Sequence, residues 1–159
     1  MQENLSQKFM TEAIRLAIES VKAKRGGPFG VVIVKDGIIV GRGQNCVTST
    51  NDPTAHAEIV AIRDACKNLK TFQLEGCELY TSCEPCPMCL GAIYWARPLR
   101  VYYSANRKNA AKFGFDDAFI YDEVAKPLST RKISMTQLLA ESTLTPFEEW
   151  NKLPDKVEY

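Results

Sequence analysis

The sequence contains one histidine in 159 residues. Any chemistry that needs an imidazole must therefore use His56, and schemes that rest on a second one are excluded. An excess of charge is also missing: 20 basic and 19 acidic residues leave a net charge of +1 at pH 7. Such a balance does not draw a polyanion partner, and the basic stretch 107–112 reads as a solvated face. Long apolar runs are lacking as well. No segment approaches a membrane span, and the first residues lack the apolar stretch of a secretory signal. Repeats and low-complexity tracts are absent. The six cysteines, without such a signal, do not read as a disulfide framework. These absences predict a cytoplasmic protein with no nucleic-acid partner and no membrane partner. What is present is ordinary globular composition, 45% hydrophobic and 25% charged, in a length that fits one domain spanning residues 1–159.

Periodicity organises the chain. Residues 6 to about 24 carry Phe9, Ala13, Leu16, Ala17 and Val21 at helical spacing, and Gly26-Gly27-Pro28 ends that helix. Strands at 29–34 and 38–43 flank Lys35-Asp36-Gly37, a hairpin turn. A second helix spans about 56–68 and a short strand 77–81. Pro87 opens a third helix that stops at Ala96, before Pro98, and a strand follows at 99–103. Short helices are expected at 109–113 and 119–124, a fifth strand at 133–139 and a last helix from Pro146. Helices alternating with strands predict a three-layer α/β/α sandwich around a mixed, roughly five-stranded sheet.

Within this framework His56-Ala57-Glu58 is followed downstream by Pro85-Cys86-Pro87-Met88-Cys89. A lone histidine is usually a surface or core residue, and a lone C-x-x-C is a redox pair, half a zinc knuckle or chance. Their combination is far less common and supplies three zinc ligands, His56, Cys86 and Cys89. Structural zinc sites close four positions with side chains, whereas catalytic ones leave one for water. Pro87 fits a first helical position, so both thiolates fall at a helix N-terminus, which favours negative charge. Residues i and i+2 on a helix point to nearly opposite sides. His56 and Glu58 can therefore share a site only beyond a helix end. The loop Asn51-Asp52-Pro53-Thr54 offers N-cap candidates just before them. Two helix N-termini facing one metal follow. H-x-E with P-C-x-x-C is also the general mark of zinc nucleobase deaminases. Cys66 reads as a small buried hydrophobe. Cys83 is kept from the metal by Pro85 and the three ligands already assigned.

With strand, H-A-E helix, strand and P-C-x-x-C helix in that order, the chain resembles the cytidine-deaminase-like superfamily, and within it the bacterial guanine deaminases. The likeness extends over nearly the whole length, through Gly27-Pro28-Phe29-Gly30, 51–58, 81–89, Tyr94-Trp95-Ala96-Arg97-Pro98, Gly114-Phe115-Asp116-Asp117 and Glu158-Tyr159. The zinc motifs are shared across the superfamily; 114–117 and the terminal tyrosine are more specific. The resemblance implies one catalytic zinc per subunit and hydrolysis of guanine to xanthine and ammonia. Glu58 would take the proton of the zinc-activated water and pass protons to the ring nitrogen and the leaving amine. The resemblance further implies Asp117 as a second proton relay, and Phe29, Asn45, Ala57, Trp95 and Tyr159 around the substrate. By residue type alone, Phe29 either stacks on a purine or fills the core. Asn45 either reads a base edge or ends a strand, and composition does not separate Asp117 from Asp116. Tyr159 would normally be a frayed end. The resemblance makes it a lid residue of a domain-swapped homodimer, with about 140–159 crossing to the partner and Phe147 and Trp150 buried there.

Rival functions share the zinc centre: deamination of adenosine in tRNA, of cytosine or of guanosine. From Gln137 to the end, five acids face two lysines, a local net of −3. That tail argues against an RNA backbone. A non-catalytic zinc-stabilised binding module would be expected to lack the glutamate at 58, which is present.

Overall fold

Asn4 opens the first helix. Its side chain accepts from the Ser6 amide while Gln7 returns a hydrogen bond to the Asn4 N–H, a capping box that fixes where α1 (Leu5–Lys22) starts. Phe9, Ala13, Leu16 and Ala17 form the stripe it buries. The hairpin β1 (Gly30–Lys35) and β2 (Ile38–Gln44) turns through Asp36 and Gly37, both at positive φ (50° and 76°). Two such residues define a type I′ turn, whose twist matches that of the strands. The chain continues through a short helix α2 (Val47–Thr50), α3 (Ala57–Leu69), β3 (Cys77–Cys83), α4 (Pro87–Ala96), β4 (Arg100–Ala105) and α5 (Arg107–Ala111). It ends with α6 (Ala118–Ala125), a 3-10 turn (Leu128–Thr130) and α7 (Thr145–Lys152). This computed structural model describes residues 4–139 and 143–159.

The chain divides into two compact units, Met1–Asp117 and Ala118–Tyr159. In the first, the sheet order is β2-β1-β3-β4, with β1 antiparallel to β2 and β3, and β3 parallel to β4. The alternation of β1 separates two cores. Val31 and Ile33 pack with Ala57, Ala61 and Ala65 of α3, Leu79, and Ile93 and Ala96 of α4. Val32 and Val34 pack with Phe9, Ala13 and Leu16 of α1 and with Tyr80. Helices on both faces give the three layers expected. α3 sits unusually close to β2 because Gly43 has no side chain. A Cβ there would lie 2.0 Å from the Ala57 carbonyl oxygen and 2.9 Å from the Ala61 Cβ. That approach locks the N-terminus of α3, and hence His56 and Glu58, against the sheet.

Among the described residues the sheet has four strands rather than the roughly five expected. Residues 133–139 form no ladder; Ile133, Met135, Leu138 and Leu139 are 59–80% exposed. Ile133-Ser134-Met135 mimics a period of two, but Leu138-Leu139 breaks it, and an unpaired strand leaves its amides without partners. In the second unit no described residue is buried. Residues 140–142, where the segment expected to cross to a partner begins, lie outside the described residues.

Candidate metal centre

One edge of the sheet collects the chemistry. β1 starts there, β2, β3 and β4 end there, and α3 and α4 start just beyond it. Phe29, Asn45, Ser82 and Asn106 all flank this edge. Cross-links hold it: the Gly30 amide donates to Ser82 Oγ at 3.1 Å, the Asn45 amide to the Phe29 carbonyl at 3.1 Å, and Ser20 Oγ to the Asn45 carbonyl at 2.8 Å.

His56 is the N-cap residue of α3 and Cys86 that of α4, both with extended backbone (φ −68°, ψ 154° and φ −69°, ψ 169°). Pro87 occupies the first turn of α4. The i, i+2 constraint is thereby satisfied: His56 stands outside the helix and Glu58 within its first turn. The cap candidates at 51–54 do not cap α3. The N-cap, His56, comes two residues later than Thr54, and Asp52 instead accepts from the Thr54 amide (2.8 Å) and hydroxyl (2.6 Å). With no side chain capping either helix, the N-terminal amides of α3 and α4 face the site, and their dipoles favour anionic sulfur there.

His56 Nδ1 lies 3.5 Å from Cys86 Sγ and 3.4 Å from Cys89 Sγ, and the three donor atoms all fall within 4.8 Å of one another. A tetrahedral zinc with ordinary Zn–S and Zn–N bonds needs an N···S separation of about 3.6 Å. The donor set therefore fits zinc in kind and in spacing, with three protein ligands and one position left for a non-protein ligand. The sulfurs also suit a dication. Hydrogen bonds from Cys89 and His56 hold the Cys86 thiol down at about 4, while the same partnership and burial push Cys89 up. Two sulfurs sharing one proton ionise together only beside positive charge. Among the described residues, His, Cys and acidic side chains gather in one such group.

Glu58 is 5% exposed, and burial raises its carboxyl above the ordinary range. Its Oε2 receives Cys89 Sγ at 3.4 Å and its Oε1 faces Thr81 Oγ1 at 3.4 Å. Cys83 stays outside the ligand set. Its buried thiol is pushed up to about 11, first by burial and then by the Glu58 charge, and it points toward the Asn106 carbonyl at 4.0 Å. Asp117 is half-buried and Asp116 exposed. Burial, and after it the charge of Cys86, raises the Asp117 carboxyl. Of the two neighbouring acids, Asp117 is the one more withdrawn from solvent.

The other expected pocket residues divide. Phe29 is half-buried and meets Phe115 edge-on, ring centroids 5.0 Å apart at 87°. Asn45 is buried, and its Oδ1 accepts from the amides of Gly27 (3.0 Å) and Val47 (3.3 Å). Its acceptor is thus committed to backbone. Ala57 is fully buried in the core beneath the site. Trp95 lies eight residues past Pro87, about 12 Å along the helix axis, and is 64% exposed. Tyr159, 70% exposed, belongs to the second unit. Two neighbours escaped sequence reading. Phe115 was visible only as part of a family stretch, and Thr81 is indistinguishable by type from any β-branched strand residue.

Comparison with known proteins closes the question of family. The model for the cytidine and deoxycytidylate deaminase zinc-binding region matches residues 3–105. The chain belongs to this deaminase family. It is 58% identical over 151 residues to guanine deaminase of Bacillus subtilis, covering 95% of this chain and 97% of that one. A crystal structure of guanine deaminase from Bacillus subtilis superposes with a TM-score of 0.94 at 57% identity, over 96% of this chain and 98% of the other. The tRNA-specific adenosine deaminase of Aquifex aeolicus is 45% identical over 97 residues, 61% of this chain and 64% of its own length. The shared deaminase core thus extends to the tRNA enzymes, and the full length only to the guanine enzyme among these three.

Proposed function

We propose that this zinc-family deaminase hydrolyses guanine to xanthine and ammonia, a step of purine catabolism or salvage. The observation that carries this reading is the extent of the likeness to guanine deaminase, 95% of the chain, against 61% for the tRNA enzyme. The acidic tail, which an RNA backbone would disfavour, supports it.

His56, Cys86 and Cys89 hold one zinc per chain, which when bound supplies a water activated at neutral pH. Glu58 does the proton work. Burial raises its carboxyl above the usual carboxylate range, which favours holding a proton between accepting and donating it. It accepts one proton of the attacking water and delivers it to the purine N3, then takes the proton of the hydroxyl added at C2 and delivers it to the departing 2-amino group. Asp117, raised by burial, assists as a hydrogen-bond partner or second relay for the amine. The Asn45 amide donates to the ring's carbonyl edge, and Phe29, braced by Phe115, provides an aromatic wall.

The active form is a homodimer in which residues from about 140 onward cross to the partner and Tyr159 covers the partner's site. Two features support this. The second unit buries none of its described residues while exposing Phe119, Phe147, Leu153 and Tyr159. In the first unit α4 is apolar on all sides, yet Leu90, Tyr94 and Trp95 are 38%, 75% and 64% exposed. Six free cysteines suit a reducing, cytoplasmic setting.

The test is ammonia release by the zinc-loaded protein from guanine, guanosine, cytosine, adenine and tRNA. Turnover of guanine with xanthine as product is expected. Turnover of tRNA adenosine or cytosine in preference to guanine overturns the substrate assignment.

A further inference from the structure

Thr81 lies in β3, between β1 and β4, and is 1% exposed. On the same face of that strand stand Cys77 and Leu79, both fully buried in the α3–α4 core. Its ladder partners are Val31 and Tyr103. Everything about this position asks for valine, which has the same shape and no polar atom. The hydroxyl is nevertheless there, and it is engaged. It donates to the Cys83 carbonyl at 2.9 Å and faces Glu58 Oε1 at 3.4 Å.

The two oxygens of Glu58 are thereby distinguished. Oε2 is turned toward Cys89, a metal ligand, and Oε1 toward Thr81. Rotation of the carboxyl about its last bond would exchange them or carry both away from the ligands, and that terminal torsion is intrinsically broad. Thr81 is the side chain that narrows it. β3 holds Thr81 rigidly, since its neighbours in the sheet bond on both sides. A hydroxyl also suits a proton carrier better than an amide or an ammonium. Its one proton can stay hydrogen-bonded to the Cys83 carbonyl while a lone pair accepts from a protonated Glu58, and can turn to Oε1 when that carboxyl is ionised, so the contact persists as Glu58 loads and unloads.

We propose that Thr81 is a positioning residue for deamination: its hydroxyl orients the Glu58 carboxyl so that one oxygen addresses the metal site while the other is anchored to the sheet. It touches neither substrate nor metal. This rests on the assignment of Glu58 as the proton carrier.

The experiment compares Thr81→Val, which keeps shape, with Thr81→Ser, which keeps the hydroxyl. With guanine as substrate, Thr81→Val should lower kcat about tenfold to a hundredfold, as expected for a misplaced catalytic group. KM should change less than about threefold. Zinc content and melting temperature should stay at or above wild type. Thr81→Ser should restore kcat to within about threefold of wild type. A crystal structure of zinc-loaded Thr81→Val should show the Glu58 carboxyl turned or split between orientations. An unchanged kcat, a loss confined to KM, failure of serine to rescue, or an unmoved carboxyl each overturns the proposal. If Thr81→Val does not fold, Thr81→Ala takes its place with the same criteria. Should the wild type not use guanine at all, the substrate assignment fails, and the crystallographic comparison still decides the role of Thr81.

Discussion

The two units of this chain differ in what they bury. Residues 1–117 contain two cores on either side of a sheet, with Val31, Val32, Ile33 and Leu79 wholly withdrawn from solvent. Residues 118–159 contain helices of eight residues, α6 and α7, and no buried residue among those described. Helices that short are marginal in water without packing. The first unit is therefore self-supporting, and the reaction centre is built from it alone. The second has apolar side chains enough for an interface and no core of its own. Chemistry is stored where the chain can stabilise itself; the second unit leaves its apolar side chains, such as Phe119 and Phe147, exposed.

Breaking the first half of this contrast should have the largest effect. Cys89→Ala removes a ligand and should abolish zinc binding and turnover together, as read by metal analysis and ammonia release. Glu58→Ala should retain one zinc per chain while kcat falls on the order of 10²–10⁴-fold. Near-normal turnover in Glu58→Ala would remove the proton carrier from the scheme. Next in size is the second half. Deleting residues 154–159 should raise KM for guanine severalfold or abolish turnover, with zinc content and the melting transition of the remainder preserved. Unchanged kinetics would end the idea that Tyr159 closes a site. A smaller effect separates the two kinds of burial. Leu79→Ala should destabilise the protein by about 2–5 kcal/mol in denaturant titrations, the cost of a cavity in a closed core. Phe147→Asp, 65% exposed in the chain, should instead shift sedimentation from dimer to monomer and leave zinc in place. A Phe147→Asp protein that remains dimeric would assign the interface to α4 rather than to the second unit.

The same contrast decides what could be read from sequence. α4 is legible to the residue because Pro87 pins its start and Pro98 forbids its continuation, and the structure ends it at Ala96 with Arg97 at φ 56°. The hairpin is legible because Asp-Gly admits one turn type. α2 is not, since Val47-Thr48-Ser49-Thr50 has no helical propensity and holds its turn through hydroxyls bonded to Cys46 and Arg25 carbonyls. The fifth strand misled for the same reason that the second unit is bare: its apolar residues imitate a strand but have no partner strand among the described residues. At the site, spacing alone placed His56 beyond a helix end, because i and i+2 permit nothing else. The separation of Asp117 from Asp116, and the contact between Thr81 and Glu58, are tertiary facts. No local pattern distinguishes a hydroxyl that orients a carboxyl from one that merely fills a strand.

The smallest expected effect probes the loop that delivers His56. Asp52 accepts two hydrogen bonds from Thr54, and these, the hydroxyl first, hold its carboxyl below the usual range. A carboxylate depressed in the folded state stabilises the fold above its unfolded pKa of about 3.9. That contribution is lost as the pH falls through the lower, folded value. Asp52 is only partly buried and solvent screens it, so the effect is small. Thr54→Val removes the hydroxyl and keeps the amide. Its melting temperature should fall by about 1 °C or less near pH 7, and the difference from wild type should shrink toward zero in acid. Zinc content should not change, since Gly43 and the backbone packing of α3, rather than this loop, fix the position of His56. A loss of zinc in Thr54→Val would transfer that task from the sheet contact to the loop.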